Sequence, residues 1–135
     1  MKSLMKIIYE IIALLVFLST GANASALPLS NRDQTYVIAV TASSVVADQC
    51  KAKLIKDSAI RLADKTGIDI SIIGKAIVAA VNASSDHPYE RKDLIPEVTS
   101  TMITTSAEIL QGIKLDRAKT CTVWIIGLRS LGMVE

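Results

Sequence analysis

Two cysteines constrain this chain more than any other feature. Cys50 and Cys121 are its only two, so a single intramolecular pairing exists, closing a loop of about 70 residues. In the chain-entropy picture such a bridge contributes roughly 4 kcal/mol, against a total of about 5–15 kcal/mol for a small domain. A redox-active dithiol needs close spacing such as Cys-x-x-Cys, which is absent. A catalytic thiol needs an imidazole, and His87 is the sole histidine, with nothing in the sequence to set it beside either cysteine. The remaining alternatives to a structural bridge are two buried free thiols or a link to another chain.

A bridge presupposes an oxidising destination, and the start of the chain supplies one. Lys2 and Lys6 give a positive start, Ile11 to Leu18 an apolar core, and Ala22-Asn23-Ala24 a small-x-small cleavage site, with Ala24-Ser25-Ala26 as a second candidate. Residues 1–24 read as a secretory signal peptide, blemished by Glu10. The alternative is a retained anchor, but Ile7 to Leu18 falls short of the roughly 20 apolar residues a spanning helix needs. The expected location is periplasmic or secreted, without stable membrane insertion after cleavage. The formal charge of the whole chain is +2, and removal of Lys2, Lys6 and Glu10 leaves it nearly neutral. Net charge therefore predicts no nucleic-acid partner and no long-range steering toward anionic surfaces.

With 135 residues, half of them hydrophobic, the chain supports one domain. Residues 25–33 read as a flexible N-terminal lead, 34–132 as a single helical domain and 133–135 as a C-terminal tail. Asp33 can cap a first helix from Gln34 to about Lys51, with Ile38, Ala42, Val45 and Gln49 on one face and Val46 and Cys50 beside them. A second helix restarts at Asp57 or Ser58 and stops at Thr66-Gly67. Asp69 is the cap expected for a third, Ile70 to about Ala83, with Ile70, Ile73, Ile77 and Val81 inward. Asn82 to Pro88 is a polar linker. Pro96 opens a fourth helix over about 96–111, whose stripe is Val98, Met102, Thr105, Ile109 and Ile113; Gly112 ends or bends it. Asp116 begins the last, with Cys121, Trp124, Ile125, Leu128 and Leu131 inward. The expected fold is all-α: a compact bundle of four or five short helices, with the Cys50–Cys121 disulfide joining the first and last.

Motifs that carry chemistry are scarce. The expectation is no catalytic residue, no metal and no cofactor. His87 lies in the linker Asp86-His87-Pro88, where proton transfer would need a partner and a pocket; a pH-sensitive contact is the lesser alternative. Asp86, Glu90 and Asp93 lack the twelve-residue calcium-loop signature. The glycines form no phosphate-cradling loop. Asn82-Ala83-Ser84 matches a glycosylation sequon, relevant only in a eukaryote. Lys51, Lys53 and Lys56 are diluted by Asp48 and Asp57, which suits a solvated surface. Trp124, the only tryptophan, reads as a core anchor beside Cys121 or as an anchor at a protein interface.

These absences favour a non-enzyme, an exported protein that binds a macromolecular partner, most concretely a protein, as an inhibitor or immunity-type protein. A structural or envelope-stress maintenance role is the alternative, and an enzyme with a non-contiguous site comes after it. In size and single bridge the chain resembles, in architecture alone, small periplasmic helical immunity proteins and acid-stress chaperones. That likeness carries over no residues, and oligomeric state stays open.

Overall fold

The computed structural model describes residues 29–135. The signal peptide read at 1–24 and the lead as far as residue 28 lie outside them. Among the described residues the architecture is an all-helical bundle: α1 (Asn31–Cys50), α2 (Ser58–Thr66), α3 (Ile73–Ser84), a 3-10 turn at Arg91–Asp93, α4 (Pro96–Leu115) and α5 (Arg117–Ser130).

The helix ends follow local chemistry, and three differ from the sequence reading. Helix α1 starts earlier than expected because Ser30, not Asp33, is its cap. The Ser30 hydroxyl accepts from the Asp33 N–H at 3.1 Å, leaving Asp33 in the first turn, where an acid suits the positive end of the helix dipole. The lead at 25–33 is thus already helical from Asn31. Helix α2 stops as read: Gly67 takes φ 73, and the N–H groups of Gly67 and Ile68 both turn back to the Ala63 carbonyl. Helix α3 starts later than Ile70. Asp69 accepts from the Ser71 N–H at 3.0 Å, capping a turn over 70–72, and regular helix begins at Ile73. Helix α4 runs through Gly112 to Leu115. A Cβ at Gly112 would meet the Thr120 hydroxyl at 2.8 Å, so this glycine sets the close approach of α4 and α5. Asp116 caps α5 by accepting from the Lys119 N–H at 3.1 Å.

The core gathers around α1, which touches all four other helices. Val37, Ala42, Val45 and Val46 are buried, but so are Tyr36, Ala39 and Ser43, so burial wraps most of the way round the helix rather than along one stripe. The α4 stripe is buried as read at Val98, Met102, Thr105, Ile109 and Ile113. On α3, Ile73, Ala76 and Ala80 are buried while Ile77 and Val81 are half-buried. Ile70, expected inward, is exposed because it precedes the helix.

The disulfide is present. Cys50 and Cys121 are bonded, with their Cα atoms 5.6 Å apart, inside the ordinary range for such bridges. It joins the end of α1 to the first half of α5. Helix α5 depends on it: Leu128 is the one fully buried side chain of that helix, Cys121, Trp124 and Ile125 are half-buried against the core, and Leu131, expected inward, is exposed. A second lock lies at the C-terminus. Residues 133–135 are no loose tail: Met133 and Val134 are buried, Val134 forms an antiparallel bridge with Leu54, and the Glu135 N–H donates to the Lys53 carbonyl at 2.9 Å. Two buried apolar side chains and a short backbone ladder hold this end, together with an exposed Lys53–Glu135 ion pair at 3.5 Å. No helix among the described residues is long and apolar enough to cross a membrane.

Candidate functional site

The concave feature of interest forms where α3 ends and the chain doubles back. Ser84 and Ser85 both donate from their hydroxyls to the Val81 carbonyl, at 2.7 and 2.9 Å, and the His87 N–H donates to the Asn82 carbonyl at 3.0 Å. These bonds satisfy the carbonyls that a helix end leaves open. Asp86 takes the left-handed conformation, φ 56, and reverses the chain. Pro88, Tyr89 and Glu90 then return alongside α3, ending in the 3-10 turn.

Between the return segment and α3 lies a groove of about 480 Å³, within the range of binding pockets of roughly 300–1,000 Å³. Ile70, Val78 and Tyr89 give it apolar walls, with Lys75, Glu90 and Asp93 as its charged lining. Ile70, Val78 and Tyr89 are all substantially exposed, Val78 at 58%. Gly74 also lines the groove. A Cβ there would come within 3.1 Å of Ile70 Cγ2, so the glycine lets Ile70 fold close over α3. A second, smaller cleft of about 260 Å³ lies at the start of α1, between Tyr36, Leu62 and Leu131.

Of the residues singled out in the sequence for chemistry, Asn82, Glu90 and Asp93 line the groove; the others lie elsewhere. Cys50 and Cys121 are consumed in the disulfide. Trp124 is half-buried against the core and is no part of the groove lining. His87 is exposed, its Nδ1 2.8 Å from the Ser85 hydroxyl. That contact spans two residues on the exposed helix-end turn, where the Ser85 hydroxyl also lies 2.9 Å from the Val81 carbonyl. The pair is a helix-end cap. Among the described residues no group of three or more His, Cys, Asp or Glu side chains could hold a metal ion. The lysines at 51, 53 and 56 do not act as one patch: Lys51 Nζ donates to the Asp48 carbonyl, and Lys53 pairs with Glu135. Burial raises the pKa of Tyr36 above its ordinary 10.0, and its hydroxyl donates to the Ala59 carbonyl at 3.1 Å.

The groove residues Ile70, Val78 and Tyr89 were missed in the sequence. Ile70 fitted an inward stripe, and Val78 sat between better-placed apolar positions. The available signal was Tyr89, an aromatic just beyond a polar turn that must reverse direction. No protein-family model, curated protein or solved structure matches the chain, so the groove is read on its own chemistry.

Proposed function

We propose that this is a small exported protein of the periplasm or extracellular space, without catalytic chemistry of its own, that binds a partner protein as an inhibitor or immunity-type protein. The supporting observation is the groove: Ile70, Val78 and Tyr89 are exposed and line one concavity beside α3 together with a few charged groups, the arrangement in which binding sites occur. The disulfide fits such a location, because bridges persist in oxidising compartments.

The test is affinity capture from envelope extract with the oxidised protein and with its Val78→Asp variant. The expected result is a reproducible partner held by the wild type and lost by the variant, while the two melt alike, since Val78 is exposed. No partner above controls, or a partner that Val78→Asp retains, rejects the reading.

A further inference from the structure

Residues 90–93 sum to zero formal charge: the acids Glu90 and Asp93 bracket the bases Arg91 and Lys92. The fold separates them. The Asp93 N–H donates to the Glu90 carbonyl at 3.0 Å, closing the 3-10 turn. Glu90 and Asp93 both line the groove, whereas Arg91 and Lys92 lie outside its lining. The opposite wall contributes one cation, Lys75, from α3. A neutral stretch of chain thus becomes a groove with two carboxyl groups against one ammonium group, set beside the apolar side chains of Ile70, Val78 and Tyr89.

We propose that the groove's occupant is a cationic-apolar segment of the partner protein: an apolar side chain seated between Val78 and Tyr89, with a neighbouring Lys or Arg reaching Glu90 and Asp93. This deepens the partner-binding reading and rests on it. The argument is charge complementarity. A segment carrying an acid beside its apolar anchor would bring like charge against Glu90 and Asp93, and like-charge juxtaposition suppresses wrong partners. An Arg-bearing anchor gains most, since its planar donors suit carboxylates.

Two synthetic peptides test it, identical except that the residues flanking a central Leu are Arg in one and Glu in the other. Titrated against the oxidised protein by isothermal calorimetry, the Arg peptide is expected to bind at least tenfold more tightly, with a preference that weakens as salt rises. The double variant Glu90→Lys with Asp93→Lys is expected to reverse that order. Equal binding of the two peptides, a preference for the Glu peptide, or binding of neither overturns the inference. The same double variant and Val78→Asp, applied to the captured partner, separate the two levels. Loss with Val78→Asp but not with the charge reversal rejects the cationic occupant and keeps the groove; loss with neither rejects both.

Discussion

Helices α3 and α5 both lie at the edge of the bundle, and both leave apolar side chains in solvent, yet only one makes a site. On α5, Val123 and Ile126 are each 60% exposed and line neither of the two clefts. The helix is fastened from its other side by the disulfide, by the cap of Asp116 and by the contact of Thr120 with Gly112. On α3, Val78 is as exposed, but the chain returns past it through Pro88 and Tyr89 and builds a second wall. Scattered surface apolar residues are ordinary. What distinguishes the α3 side is concavity, and the concavity comes from a left-handed Asp86 and a capped helix end rather than from hydrophobicity.

Removing the fastening of α5 should have the largest effect. Cys50→Ser with Cys121→Ser is expected to cost roughly 4 kcal/mol, read as a lower urea midpoint. Helix α5 should exchange its amides first, since it buries little besides Leu128, and peptide binding at the groove should survive in the folded fraction. The second contrast sets like against like. Val78→Asp is expected to weaken partner binding by about 2 kcal/mol, the scale of an interface anchor, whereas Val123→Asp should leave it unchanged; both should shift stability by no more than about 0.5 kcal/mol. Equal losses at the two positions would erase the distinction between the helices.

The glycines sharpen the comparison at smaller scale. At Gly112 a methyl group would collide with Thr120, an overpacking cost of about 1–3 kcal/mol, offset by about 1 kcal/mol of helix propensity. Gly112→Ala should therefore lower the urea midpoint modestly. Gly127→Ala meets nothing within 4 Å and should raise it. The smallest effect is the pH dependence of the α1–α2 contact. Burial raises the pKa of Tyr36 in the folded state, so the unfolded chain loses that proton first. The contribution is fully present below pH 10.0 and is lost as pH rises through the higher folded value. Tyr36→Phe should flatten the alkaline limb of a stability–pH curve.

Much of this fold was legible in the sequence, for reasons that also explain what was not. The α4 stripe from Val98 to Ile113 was readable because that helix buries one face. The ends at Gly67, Pro96 and Asp116 were readable because each rests on local chemistry. The disulfide was readable because two cysteines allow one pairing. Helix α1 was read too narrowly: it lies among four neighbours, and a search for one stripe passes over Tyr36, Ala39 and Ser43. The start of α3 was misplaced because Asp69 caps a turn as readily as a helix. The groove was hidden because it depends on where Tyr89, Glu90 and Asp93 return in space, and the zero net charge of residues 90–93 conceals that their two acids, and neither base, line it.

Hydrogen exchange of the oxidised protein, alone and with its captured partner, tests the central claim most directly. Binding at the groove predicts slowed exchange across residues 73–93, where α3 and the return segment lie, with residues 117–130 of α5 unchanged. Protection concentrated on α5, with α3 and the return segment exchanging as in the free protein, would contradict it.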